Sequence, residues 1–186
     1  MTRDLFFDKF PHSFAWNKIY KASLFKEIRY PVERLYEDLA TTFRLTYKCS
    51  KICIINEPFY YYAINRKGNI TTELMSSKAA KSYYHHCLNA LEHINFAKKH
   101  KEFEDMIPHF KQSLYCNGIM SIKSSIKMGK QSYADYCNNI MNLLKENGFH
   151  FTSDYDSIIN HPFLFYWKLR VIFNLKSFCK AFIGCK

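Results

Sequence analysis

The spacing of apolar residues changes near residue 75. Upstream, short apolar runs alternate with turns. Leu39, Phe43 and Tyr47 recur every four positions and predict a helix at about 37–50, after a short helix at 22–26. Downstream, apolar residues recur every three or four positions. This pattern predicts helices at about 76–99, 103–128, 132–147 and 162–183.

Two segments between these helical regions are typical of strands. Residues 51–55 form a β-branched run that predicts a buried strand, and Pro58 ends it. Residues 59–64 predict a second short strand. The fold class is therefore predicted as α/β (α+β), with two short strands, flanking helices and a helix-rich extension in a helix-dominated chain. The predicted regions are 1–73, 74–161 and 162–186.

Composition narrows the class of protein. The chain has 186 residues, 48% of them hydrophobic, which is enough for a core. Its five glycines are too widely spaced for a dinucleotide-binding G-x-G-x-x-G or a P-loop. Seven scattered cysteines without a C-x-x-C argue against a disulfide framework and favour a reducing, cytoplasmic location. No run of 18 apolar residues is present to span a bilayer.

The net charge of +11 raises the question of anionic partners. Nucleic acid is not predicted, because the lysines are spread through every element and no recognition motif accompanies them. Residues 163–186 carry five basic residues and no acid among many apolar ones. This segment suits a helix lying on an anionic membrane surface. A helix that covers the protein's own core explains the pattern equally well.

Several polar clusters are candidates for chemistry. Glu37 and Asp38 begin a predicted helix, where they either cap it or provide a general base. Residues 154–156 read D-Y-D, but their polar loop lacks a preceding apolar strand, so a metal site is not predicted there. His86, His93 and His100 are seven residues apart, too far for neighbours to share one ion. A solvated or half-buried stripe is the expected role of these histidines.

Five blocks in the first part of the chain resemble the back half of a family 2 glycosyltransferase domain of the GT-A fold. They are A-W-N-K-I-Y at 15–20, I-R-Y-P at 28–31, L-Y-E-D at 35–38, P-F-Y-Y-Y at 58–62 and R-K-G-N-I-T at 66–71. Their order and spacing fit throughout and cover about a third of the chain. Asn69 stands where the family often has Ser. The later helices resemble the family's variable extensions only in their helical pattern, without a shared motif.

The resemblance implies roles for individual residues. Asp38 would be the catalytic base of an inverting sugar transfer, and Glu37 would orient it or contact the acceptor. Trp16, with Lys18 beside it, would line the acceptor pocket. Arg66 and Lys67 would approach the diphosphate of a nucleotide-sugar donor. The acceptor would be a glycan or lipid-linked sugar in cell-surface polysaccharide synthesis, at the inner face of the cell membrane.

The family's donor-binding half has no counterpart in these blocks. The complete enzyme implies a divalent metal, Mg²⁺ or Mn²⁺, held by a D-x-D motif, and no metal ligand is predicted in this chain. The chain is therefore expected to be the acceptor side of an incomplete enzyme, with an uncovered strand edge that promotes self-association. A non-catalytic module, bound to a membrane surface or another protein, is the alternative.

Overall fold

The computed structural model describes residues 13–63, 78–149, 161, 163–164, 166–168 and 171. The chain divides into two compact units. One unit combines Met1–Thr72 with His85–Leu114, and the other combines Glu73–Tyr84 with Tyr115–Lys186. The predicted boundaries at 73 and 161 stay predictions.

Four α-helices carry most of the described residues. They are α1 (Glu37–Lys48), α2 (Ala79–Lys99), α3 (Ile107–Ser125) and α4 (Lys130–Glu146). Short 3₁₀ helices cover Ala22–Lys26, Lys101–Met106 and Ile126–Met128. The described parts of the predicted helices are confirmed to within a few residues. The exceptions are the two ends of the helix predicted at 103–128, where Lys101–Met106 and Ile126–Met128 form tighter 3₁₀ turns.

In the first unit, α1 packs through an unusually polar face. Its buried residues include Leu45, which is fully enclosed, and three threonines: Thr41, Thr42 and Thr46. The acidic residues of its first turn and Lys48 in its last turn complement the helix dipole. Aliphatic and aromatic side chains from 94–114 complete this core, namely Ile94, Ala97, Phe103, Phe110 and Leu114.

In the second unit, α4 supplies the main buried face. Tyr133, Cys137, Ile140 and Leu144 recur every three or four residues and are almost completely buried. Gly129 precedes α4 with a φ of 100°, a conformation that residues with a side chain rarely adopt. The glycine therefore permits the sharp change of direction between Ile126–Met128 and α4.

The two predicted strands are wrong within the part of the chain that the structure describes. Residues 51–63 contain no strand, and no sheet occurs among residues 13–63 and 78–149. The segment is irregular, and each of its residues is exposed rather than buried. A β-branched sequence becomes a strand only when a neighbouring strand pairs with its backbone, and none of the described residues does so. The GT-A sheet region is thus not observed, while the helix-dominated character is.

The described residues contain no helix of the length and hydropathy needed to cross a bilayer. No disulfide joins the described cysteines. Most of the predicted helix at 162–183 lies outside the described residues, although residues 163–164, 166–168 and 171 are helical.

Candidate functional site

Asp38 lies half-buried in the first turn of α1. Its Oδ1 accepts a hydrogen bond from the Leu39 N–H at 2.9 Å, and the Ala15 N–H also bonds to its carboxylate. Burial raises the pKa of Asp38, and the adjacent charge of Glu37 raises it further, against the lowering effect of these backbone donors. The arrangement produces a carboxylate that is more basic than an exposed aspartate.

The segment that carries Trp16 is attached directly to α1. The Thr42 hydroxyl donates to the Ser13 carbonyl at 2.7 Å, one turn beyond Asp38. Together with the bond from Ala15 to Asp38, this contact holds residues 13–15 against the first two turns of the helix. The structure therefore brings the Trp16 block and the Glu37–Asp38 pair together.

Lys18 completes the polar side of this region. Its ammonium group donates to the Phe14 carbonyl at 2.6 Å and to the Asn17 side chain. Burial lowers the pKa of Lys18 to about 8, and the negative charge of Asp38 opposes part of that shift. Lys18 is therefore a cation close enough to Asp38 to interact with its charge.

Trp16 is the centre of an exposed aromatic stack. Its ring stacks with Phe14, Tyr60 and Tyr62, with centroids 5.0, 4.8 and 4.9 Å apart. All four rings are between 40% and 52% exposed. The ring surface open to a ligand is therefore shared among the four side chains rather than provided by Trp16 alone.

The loop that leads into Glu37 is held in an uncommon conformation. Tyr36 has a left-handed backbone, with φ 56° and ψ 41°. Its carbonyl accepts hydrogen bonds from the Leu39 N–H at 3.1 Å and the Asn89 side chain at 2.9 Å. Its ring stacks on His86 with centroids 4.2 Å apart. Contacts from α2 thus hold the residue that directly precedes the acidic pair.

The row of His86, His93 and His100 packs against rings of the first unit. His86 contacts Tyr36, His93 contacts Phe43 at 4.4 Å, and Tyr47 contacts His100 at 4.5 Å. Burial lowers the pKa of His93 to about 4, helped by the nearby charge of His109. The stripe is therefore half-buried, and it meets the predicted Phe43–Tyr47 face of α1.

Other predicted site residues lie outside this geometry. Arg66 and Lys67 fall outside the described residues, as does the D-Y-D of 154–156. Within the described part of the chain, no group of three His, Cys, Asp or Glu side chains is arranged to hold a metal ion. The described residues therefore do not fit the Mg²⁺ or Mn²⁺ that the resemblance implies, and no step below passes through a metal.

Comparison with known proteins identifies no relative of this chain. No family model, no curated protein and no solved structure matches the chain.

Sequence reasoning missed the residues that support the site. Tyr60 and Tyr62 were assigned to a strand, although their two-residue spacing already places both rings on one side of an extended segment. Asn89 is almost fully buried, and with His85 it follows an i, i+4 spacing along α2. That spacing of two polar residues was the available signal, but the partners of both residues became visible only in the fold.

Proposed function

We propose that this chain forms the acceptor side of an inverting glycosyltransferase, which moves a sugar from a nucleotide-sugar to a glycan or lipid-linked acceptor in cell-surface polysaccharide synthesis. One observation carries the proposal. A half-buried carboxylate with a raised pKa, Asp38, is hydrogen-bonded to the segment that presents the Trp16 aromatic stack.

The aromatic stack has the chemistry of a sugar platform. The C–H face of a pyranose is apolar and packs on an aromatic ring, while its hydroxyl groups need polar partners. Lys18 and Asn17 supply polar groups beside the stack. The Ala15 N–H bonds to Asp38, so the backbone next to Trp16 is attached at this carboxylate.

Asp38 would act as the general base. It takes the proton of the acceptor hydroxyl while that oxygen bonds to the anomeric carbon of the donor, and the bond from this carbon to the nucleoside diphosphate breaks. A base works best when its pKa approaches the working pH, so burial of Asp38 favours this role. Arg66 and Lys67 would offset the charge of the leaving diphosphate, a role that rests on the resemblance alone.

The base is tested by Asp38→Asn. In a transfer assay with UDP-, GDP- and dTDP-sugars, run together with the polypeptide that supplies the donor site, we expect turnover to fall by about 10²- to 10⁴-fold. The exposed Asp135→Asn on α4 is the matched control and should leave turnover unchanged. Near-normal turnover in Asp38→Asn would show that Asp38 is not the base.

The platform is tested separately by binding. In a Trp167→Phe background, Trp16 is the only tryptophan, and its emission is excited selectively over that of the tyrosines. Titration with a panel of methyl glycosides and short oligosaccharides should change that emission, and Tyr60→Ala with Tyr62→Ala should weaken the response. A panel in which no saccharide alters Trp16 emission or its NMR resonances contradicts an acceptor site here.

A second candidate function, attachment to an anionic membrane surface at the inner face of the cell membrane, is favoured by residues 163–171. Phe163, Leu164, Trp167 and Val171 are 42–70% exposed and fall within about 100° of the helix circumference, whereas Tyr166 is buried. Lys130 lies 4.0 Å from the Phe163 ring centroid, and Lys168 is exposed. Exposed rings beside lysines are typical of helices that lie in the membrane interface.

Vesicle co-sedimentation tests this attachment. The chain should sediment with anionic vesicles more than with neutral ones, and Leu164→Asp with Trp167→Asp should abolish the difference. Met128→Asp changes another exposed apolar residue of the same unit and should leave the difference between the two vesicle types intact. Equal sedimentation of all variants would assign the helix to the protein's own packing.

A further inference from the structure

The backbone before the acidic pair is contacted at consecutive residues by one face of α2. The Leu35 N–H donates to Nδ1 of His85 at 2.6 Å, and the Tyr36 carbonyl accepts from the Asn89 amide at 2.9 Å. The same amide lies 3.5 Å from the Leu35 carbonyl. One turn further along α2, Glu92 pairs with Arg34 at 3.3 Å.

This loop needs such support because its backbone is unfavourable without it. Glu33 and Tyr36 both have positive φ, at 59° and 56°, and neither is glycine. Residues with side chains adopt this region at a cost and keep it only when their surroundings determine it. Asn89 and His85 provide hydrogen bonds that a different Tyr36 conformation would lose.

We propose that Asn89, assisted by His85 and His86, is a positioning residue that holds Tyr36 left-handed and thereby fixes where Asp38 lies. Asn89 does not contact the reacting groups in this proposal. Its significance for catalysis rests on the proposed function, but its effect on Asp38 does not.

The backbone conformation of Tyr36 affects Asp38 through the first turn of α1. Tyr36 immediately precedes the first residue of α1, so its φ and ψ set the direction in which the first turn leaves the loop. That turn places the Asp38 carboxylate at the Ala15 N–H and out of full contact with water. If Tyr36 relaxes to a right-handed or extended backbone, the first turn frays and Asp38 becomes exposed.

The alternative is that Asn89 serves only to satisfy buried backbone groups and stabilise the fold. Asn89 is 2% exposed, so its loss would lower stability in either case. Stability alone therefore does not distinguish the two roles. The pKa of Asp38 distinguishes them, because a general loss of stability leaves the folded-state pKa of one carboxyl group unchanged.

The experiment measures that ionisation in the full chain by NMR titration of the Asp38 side-chain carbon. Because burial is the main cause of the raised pKa, Asn89→Ala should lower the pKa of Asp38 toward its usual range. The amide resonances of Ala15 and Leu39 should shift with it. Asn95→Ala, an exposed asparagine on the same helix, should change none of these signals.

A rescue separates positioning from general support. Glycine adopts positive φ without a steric cost, so Tyr36→Gly in the Asn89→Ala background should restore the raised pKa of Asp38. If Asn89→Ala does not fold, Asn89→Ser is measured instead, because its shorter side chain also falls short of the Tyr36 carbonyl. An Asp38 pKa unchanged in the folded Asn89 variant, or a lowered one that Tyr36→Gly does not restore, overturns the positioning role.

The two proposals fail in different ways. If Asp38→Asn keeps transfer while Asn89→Ala lowers the Asp38 pKa and Tyr36→Gly restores it, the positioning role stands and the enzymatic function is wrong. If Asp38→Asn abolishes transfer while Asn89→Ala leaves the pKa of Asp38 unchanged, the positioning role is wrong and the enzymatic function stands.

Discussion

The loop at 33–36 and the segment at 51–63 belong to the same unit but differ in how their backbones are held. The loop is contacted by His85, Asn89 and Glu92 of α2, and it keeps two residues at positive φ. The segment is exposed at every residue and forms no regular structure. Both contain the large aromatic or β-branched residues that usually enter cores.

Among the described contacts, backbone partners rather than side-chain hydrophobicity distinguish these two segments. The loop has few apolar residues but several hydrogen-bond partners. The segment has Ile52, Ile54 and Ile55, and side-chain stacking of Tyr60 and Tyr62 on Trp16 is its visible attachment among the described contacts. Three predictions test this comparison.

The largest expected effect contrasts buried and exposed apolar residues of the first unit. Leu45→Ala opens a cavity in a fully buried position and should lower the free energy of unfolding by about 2–5 kcal/mol. Ile54→Ala, at a residue 52% exposed, should change it by less than about 0.5 kcal/mol. Urea titrations of both variants measure these changes in the free energy of unfolding. A loss in Ile54→Ala comparable to that in Leu45→Ala would show that 51–63 is packed in solution.

The second effect is a loss of stability in acid that originates at His93. This imidazole lies between Phe43 and Phe110, and burial lowers its pKa from 6.5 to about 4. The unfolded chain therefore binds a proton at a higher pH than the folded chain does. The stabilisation is complete above pH 6.5 and is lost as the pH falls through 4, by about 3 kcal/mol in total.

The check is the pH dependence of urea unfolding between pH 7 and pH 4. His93→Phe retains the aromatic contacts and should flatten the curve in that range. His161→Gln, an exposed histidine of the other unit, should reproduce the wild-type curve. If His93→Phe keeps the full slope, another group is responsible for the acid sensitivity.

The smallest effect concerns self-association through 51–63. An exposed apolar segment with unpaired backbone groups tends to associate with other chains, so we expect the wild-type chain to form dimers or larger species at high concentration. Ile54→Lys with Ile55→Lys should raise the concentration needed by about tenfold, equivalent to about 1.4 kcal/mol. Ile19→Lys, at a fully exposed isoleucine outside this segment, is the control. A wild-type chain that stays monomeric in light scattering at high concentration would contradict self-association through 51–63.

Sequence reasoning found the part of the candidate site that rests on local signals or on a motif. Glu37 and Asp38 were placed at a helix start, and the Trp16 block was assigned to the same site by its motif. The contributions of Asn89, His85, Tyr60 and Tyr62 were not found, because each acts on a residue far away in sequence. Spacing along one helix does not reveal which loop that helix contacts.

The amino-acid sequence by itself determined the helices, because their apolar period and terminal residues act within a few residues of each other. It also determined the acidic pair at the start of α1. Only the tertiary structure decided that Tyr36 is left-handed, that Asp38 is half-buried, and that residues 51–63 form no strand. Those outcomes depend on whether a distant group supplies a hydrogen bond or excludes water, which local propensity does not specify.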